Sequence, residues 1–339
     1  MSGRWTLRGR VIASVVTAVV AIAGATVYVM DARAQQRQGL LDGEAARALE
    51  VEDVLAEPHI VFRSTLLDQT FGKVVLVPLD DTSGPRAVTA TDCERVYSAA
   101  DRYICLSADR RFATVYRAMV LDQRMTEVRS LSLAGIPSRA RMSHDGMLAA
   151  TTTFVSGHSY AQSEFSTQTV VTRLSDGESV NLEDLDFFVK GQRVTAADRN
   201  FWGVTFVDER TFYATGASGG QTWLVRGDLE ARRLDALQSD AECPSVSPDG
   251  GTVVYKKRQG RAAGQWRLAA YVLDTGEETL LAETRSVDDQ VEWIDDQRIL
   301  YGLPRKGTTA VTDVWSVPVD GSGRPELLLE GAWSPSVQR

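Results

Sequence analysis

Beyond residue 58, hydrophobic positions come in short runs rich in Val, Leu, Thr, Tyr and Trp, each ended by a turn of Asp, Gly, Ser or Pro. Runs of this length and composition predict strands, not helices. One turn recurs. Lys73–Leu79 leads into Asp80-Asp81-Thr82-Ser83-Gly84, and Ala118–Leu121 into Asp122-Gln123. Thr169–Leu174 leads into Ser175-Asp176-Gly177-Glu178, and Thr222–Val225 into Gly227-Asp228. Ala270–Leu273 leads into Asp274-Thr275-Gly276-Glu277, and Val314–Val319 into Asp320-Gly321-Ser322-Gly323.

The anchors Asp80, Asp122, Asp176, Asp228, Asp274 and Asp320 are spaced by 42, 54, 52, 46 and 46 residues. A four-stranded blade takes roughly 40–50 residues, so this is the period of a β-propeller. These turns suit the hairpin between a blade's two outer strands. A second turn is expected between the two inner strands. It is clearest at Ser247-Pro248-Asp249-Gly250-Gly251, with weaker copies at Ser143–Gly146, Val207–Arg210, Ile294–Gln297 and Ala100–Arg102. Ala332–Val337 reads as an innermost strand with nothing after it, and His59–Ser64 as a second strand with no innermost partner before it. Pairing them closes the ring and removes its open edges. The prediction is an all-β, six-bladed propeller over residues 58–339.

The Ser-Pro-Asp-Gly turn at Ser247–Gly250, its degraded copies and the terminal Trp333-Ser334-Pro335 resemble the TolB-type propeller repeat, a relative of the WD40 class. The resemblance covers about Pro58 to Arg339 and implies the fold. The repeat occurs in proteins of different function, so it does not carry an activity. The chain departs from TolB in its N-terminal segment and leaves no room before Pro58 for a separate α/β domain.

That segment has a pattern of its own. Val11–Met30 is a run of twenty uncharged residues, preceded by Arg4, Arg8 and Arg10. At ~1.5 Å rise per residue it would span roughly 30 Å, the hydrocarbon core of a bilayer. Positive charge stays in the cytoplasm, so residues 1–10 are expected inside, 11–30 across the membrane and everything later outside. A signal peptide cleaved after Ala34, at Ala32-Arg33-Ala34, is the competing reading. Both place the ring outside the cytoplasm. Residues 31–57 read as a stalk or spacer, helical towards its end at Pro58.

Composition narrows the partners. The net charge of -8 and pI near 5.1 speak against nucleic acid, which needs a basic face. Gly216-Ala217-Ser218-Gly219-Gly220 matches a nucleophile-elbow pattern, yet a strand follows it and no histidine lies beyond His158. A hairpin loop is the better reading. His59, His144 and His158 lack metal-ligand spacing and read as scattered surface residues, and the paired Asp80-Asp81 and Asp295-Asp296 read as turn chemistry. No catalytic residue, cofactor or metal site is predicted.

Cys93 and Cys105 are candidates for a disulfide in an oxidising exterior. The register raises a difficulty: with a turn at Ala100-Asp101, Cys105 faces Val96 or Tyr97, so a bridge needs a bulge or wider loop. Cys243 reads as a small buried residue on an inner strand. The tryptophans at 202, 223, 266, 293, 315 and 333 read as blade-to-blade packing. The third blade carries an insertion, Phe154–Ser166, whose Ser156, His158, Tyr160 and Gln162 are the candidate contact residues.

The leading expectation is a membrane-tethered binding or scaffold propeller that meets an envelope protein, a peptide or a glycan. A hydrolase or lyase using the central channel is the first alternative, and a sensory ectodomain the second. Acids or histidines converging in the channel would favour the enzyme, and an exposed apolar rim the protein-binding module.

Overall fold

The protein is seen in a computed structural model that describes residues 49–111, 113–155 and 166–339. The predicted cytoplasmic end, membrane span and most of the spacer lie outside the described residues, as do Ser156, His158, Tyr160 and Gln162. Among the described residues no helix is long and apolar enough to cross a membrane.

The compact unit begins at Leu49, earlier than the repeat pattern suggests. A short helix, α1 (Val51–Leu55), carries Glu52 and Asp53 in its first turn, where they suit the positive end of the helix dipole. Val54 is buried, and Leu49, Val51 and Leu55 pack on the first two blades, beside Val74, Leu76 and Val96. The end of the expected spacer is therefore part of the folded ring.

The first blade uses β1 (His59–Ser64), β2 (Lys73–Pro78) and β3 (Ala87–Asp92). The second is β4 (Arg95–Ala99), β5 (Arg102–Asp109), β6 (Val115–Leu121) and β7 (Glu127–Ser132). The third is β8 (Ile136–Met142), β9 (Leu148–Val155), β10 (Ser166–Arg173) and β11 (Ser179–Asn181). Two extra strands follow, β12 (Asp186–Val189) and β13 (Gln192–Arg193). The fourth blade proper is β14 (Asn200–Phe206), β15 (Thr211–Ser218), β16 (Gln221–Asp228) and β17 (Arg233–Ser239). The fifth is β18 (Glu242–Val246), β19 (Thr252–Lys257), β20 (Arg267–Val272) and β21 (Glu278–Leu280). The sixth is β22 (Glu292–Trp293), β23 (Arg298–Pro304), β24 (Thr312–Pro318) and β25 (Glu326–Leu329). Finally β26 (Ala332–Gln338) pairs antiparallel with β1, Ile60 opposite Val337 and Ser64 opposite Ala332, and completes the first blade.

Both turn families sit where the repeat placed them, and the hydrogen bonds say why Asp is needed. Asp249 Oδ1 accepts from Gly251 N at 2.9 Å while Ser247 Oγ accepts from Thr252 N at 2.9 Å. Asp145 and Ser143 repeat the arrangement with Met147 N and Leu148 N at 2.9 and 2.8 Å. In the outer hairpins Asp122, Asp176 and Asp320 each accept from the backbone N–H two residues on, at 2.9 Å. A short carboxylate thus satisfies amides that the strand ladder leaves unpaired.

Packing follows from the ring. The described residues form six hydrophobic clusters, one at each blade-to-blade interface. In β1, Ile60 and Phe62 face the sixth blade and Val61 faces the second. In β2, Val75 and Val77 face the sixth blade and Val74 and Leu76 the second. With both faces covered, these strands are apolar without alternation.

The fourth sheet departs from the repeat. Strand β12 runs parallel to β17 on its outer edge, Phe187 opposite Leu234, and β13 pairs with β12. Phe187 is fully buried between Phe201 and Trp223, with ring centroids 5.4 and 5.8 Å away. This insertion occupies part of the long interval between Asp176 and Asp228.

Gly216–Gly220 belongs to a hairpin, as read from the sequence. Ser218 pairs with Gln221 across Gly219 and Gly220, whose φ values of 58° and 72° lie in the left-handed region that glycine tolerates. Ser218 Oγ donates to Asp198 at 2.7 Å.

Candidate functional site

Neighbouring strands in a blade are antiparallel, so both families of Asp turns lie on one face of the ring. The blade-to-blade crossings and the second-to-third-strand hairpins lie on the other, here the crossing face. Arg95 opens β4 and Lys256 is near the end of β19, so both lie towards the crossing face, whereas Arg139 is midway along β8 and Arg141 is two residues from the Asp turn that ends it.

Their counter-charges come from one segment. Between β21 and β22 the sixth blade does not run straight into its inner strand but lays Asp288, Asp289, Gln290 and Glu292 across the axis. Arg95 of the second blade reaches Asp289 at 3.3 Å. Arg141 of the third blade donates to Val291 O at 2.7 Å and lies 3.8 Å from Glu292. Gln290 donates to Val204 O of the fourth blade and Pro244 O of the fifth, at 2.9 and 2.7 Å. Trp293 Nε1 donates to Ser245 O of the fifth blade at 3.1 Å. Val337 N, in the first blade, donates to Glu292 Oε1 at 3.3 Å. Residues 288–293 therefore touch all five other blades. The inner strand of the sixth blade is reduced to two residues because its chain is used as an axial plug.

Aromatic rings carry the buried cations. Arg95 lies 4.6 Å over Trp333, Arg141 4.5 Å over Tyr97, and Lys256 4.2 Å over Trp266. Such contacts are stronger away from water. The tryptophans thus do more than the apolar packing expected of them: Trp266 and Trp333 seat charges, and Trp266 Nε1 donates to Glu242 at 3.0 Å.

The carboxyls respond in opposite directions. Burial pushes Glu292 up to about 7, against the pull of Arg141, the Val337 N–H and Arg339. Desolvation acts most strongly and raises Asp288, but the charge and hydrogen bond of Lys256, together with the charges of Arg139 and Arg95, outweigh it and the net shift is downward. Burial, followed by the neighbouring Arg139 charge, pulls the Arg95 guanidinium down. One acid is thus poised near neutrality deep in the plug, and one is held ionised at its surface.

The residues proposed from sequence fare differently. Cys93 and Cys105 are joined, with Cα atoms 5.4 Å apart. Cys105 faces Val96, as the register requires, and Cys93 lies in the crossing between β3 and β4. The bridge staples the first-to-second-blade crossing to the second strand of the second blade. Iodoacetamide on the denatured, unreduced chain should label Cys243 alone, and all three cysteines after reduction, read by mass spectrometry. Cys243 is buried in β18.

His59 corrects the expectation of surface histidines. It is buried, with Nδ1 2.7 Å from Glu57 O and Nε2 2.9 Å from Tyr103 Oη. Burial lowers its pKa, against the backbone carbonyls of Glu57 and Val54. Its burial was missed because Tyr103 lies in another blade. His144 sits exposed in its turn. Among the described residues no three of His, Cys, Asp and Glu are grouped to hold a metal ion.

No protein-family model matches the chain, and no curated protein matches it. Among solved structures it resembles TolB from Acinetobacter baumannii, with a TM-score of 0.59 and 16% identity over 83% of this chain and 66% of that one. The fold is that of a TolB-type six-bladed propeller. A putative TolB from Agrobacterium tumefaciens gives a TM-score of 0.49 at 11% identity over 82% of this chain and 91% of that one. A puromycin-hydrolyzing peptidase from Mycobacterium tuberculosis gives 0.47 at 14% identity over 77% of this chain and 42% of its own. At these identities the likeness is one of fold. What distinguishes this propeller lies at its axis.

Proposed function

We propose that this chain is a membrane-tethered recognition module, held outside the cytoplasmic membrane, that binds an envelope protein or peptide on the crossing face. The observation that carries the reading is the axial plug. It locks six blades into one body and leaves a charged, solvent-reached group, Asp288, at the centre of that face. A rigid frame with a charged centre is suited to orienting a partner at little entropic cost. The strands β9 and β10 reach that face at Val155 and Ser166, which supports testing Ser156, His158, Tyr160 and Gln162 as contact residues. The uncharged run Val11–Met30 behind Arg4, Arg8 and Arg10 supports the tether, and a Cys93–Cys105 bridge suits an oxidising exterior.

The test is a pull-down of the full chain against solubilised envelope proteins, beside a variant lacking Gly157–Gln162. A partner held by the full chain and lost with the loop supports the reading. Capture of the same proteins by both forms removes the loop from it, and capture of none by either counts against the module. A second reading, catalysis at the axis, is favoured by Glu292, a carboxyl near 7 beside Tyr97 and Arg141. It requires that an E292Q variant lose a turnover that the parent shows.

A further inference from the structure

We propose that Lys256 and Arg139 form a receptor for a ligand carboxylate, and that Asp288 fills this receptor as an internal stand-in when no ligand is bound. The proposal rests on the crossing face being a binding surface, and it names the chemistry recognised there.

The three groups differ sharply in exposure. The Lys256 side chain is 3% exposed and that of Arg139 13%, whereas the Asp288 side chain is 63% exposed. Two buried cations thus lie beneath one acid that solvent reaches. A buried ammonium is costly unless paired, and Asp288 Oδ1, at 2.6 Å, supplies the partner. Trp266, 4.2 Å from Nζ, fixes the lysine in place.

Asp288 satisfies the receptor incompletely. It bonds Lys256 well but lies 3.8 Å from Arg139 Nη2, too far for a hydrogen bond. Arg139 Nη1 donates to its neighbour Ser138 O at 2.9 Å, and its buried Nε has no hydrogen-bond partner. A guanidinium is built to grip a carboxylate with two parallel bonds. A carboxylate free of the Asp288 backbone could bond Lys256 and Arg139 together, which Asp288 does not.

The next residue shows that this is a property of one position. Asp289 is buried, takes Gly302 N at 3.1 Å and meets Arg95 at 3.3 Å, so it is locked into the plug. Asp288 lies in the segment before β22 and outside regular strand, with its side chain reaching solvent. Exchange of one carboxylate for another leaves the buried charge balance unchanged. What opposes it is the effective concentration of the tethered Asp288, of millimolar order.

The experiment is a calorimetric titration of the full chain and of its Asp288→Asn variant, whose substitution is exposed and isosteric. Three probes are used: an acetylated Gly-Ser tetrapeptide with a free C-terminus, the same peptide amidated, and the amidated peptide with one Glu. Asp288→Asn should bind a carboxylate-bearing probe at least tenfold more tightly than the parent. The arm that tightens tells a chain terminus from an acidic side chain. Adding Arg139→Gln should remove the gain, with an unchanged near-ultraviolet circular dichroism spectrum showing an intact fold. Equal affinity of parent and variant, binding of the neutral amidated probe as tightly, or no binding by Asp288→Asn overturns the proposal. A partner captured from the envelope equally by parent and Asp288→Asn would overturn the carboxylate receptor and leave the binding module standing.

Discussion

A chain ended at Gly331 is expected to lose its cooperative unfolding transition. Strand β26 supplies the innermost strand of the first blade, and its loss leaves β1 as an open edge. Ala332 and Val337 leave the cluster between the sixth and first blades, where Ile60, Phe62, Leu300 and Val314 are buried. Ser336 Oγ no longer accepts from Ser98 N at 2.9 Å, and Glu292 loses the Val337 N–H. Trp333 also leaves Arg95 without its ring. Burial of one large aliphatic side chain contributes ~1.5–3 kcal/mol, and a buried amide left unpaired costs ~1–3 kcal/mol. The combined loss is at least about 5 kcal/mol, comparable with the whole stability of many domains. Urea unfolding followed by tryptophan fluorescence should show no sigmoidal transition, and a peptide of residues 332–339 added in trans should restore part of it. An unchanged midpoint in the shortened chain would mean that closure is not what holds the ring.

Stability should fall as pH rises through the weakly acid range, and Glu292→Gln should remove that part of the fall. The folded-state pKa of Glu292 is about 7, against an ordinary value of 4.5. Between those values the folded protein holds a proton that the unfolded chain has released. The unfolding free energy therefore decreases with pH over this window. The contribution is fully present below pH 4.5 and gone above about 7, and its size is about 3 kcal/mol. Asp288, Glu278, Glu283 and Asp313 have lowered values and push the other way, gaining stability as they ionise. The informative quantity is thus the difference between variant and parent, in which those groups cancel. The advantage of Glu292→Gln over the parent should grow by about 3 kcal/mol from pH 4 to pH 8, measured by urea unfolding. A difference that stays flat would place Glu292 outside the buried plug.

The ring was legible because its punctuation is local. Asp122, Asp176 and Asp320 accept from N–H groups two residues away, so the turn chemistry is written in adjacent positions. The closure was legible for a related reason: Ala332–Val337 and His59–Ser64 each read as half of a unit. The axial plug was not legible in this way. Arg141 and Val291 meet across 150 residues of chain, and Gln290 finds Val204 across 86. A trace exists in hindsight. Apart from Val287, Glu283–Gln290 is polar and without alternation where the repeat calls for a strand, which marks the sixth blade as irregular. The extra pair β12–β13 escaped because Phe187-Phe188-Val189 lies outside the repeat.

By itself the sequence determined the strand content, the number of blades and the way the ring closes, since each depends on short-range periodicity and on turns with demanding backbone geometry. Tertiary structure alone decided which charges meet. Whether a lysine is exposed or paired with Asp288, and whether a glutamate titrates near 4.5 or near 7, depends on groups from other blades. Those groups come within a few ångströms only after all six blades have packed. The physical reason is that desolvation and Coulomb energy act through space and not along the chain.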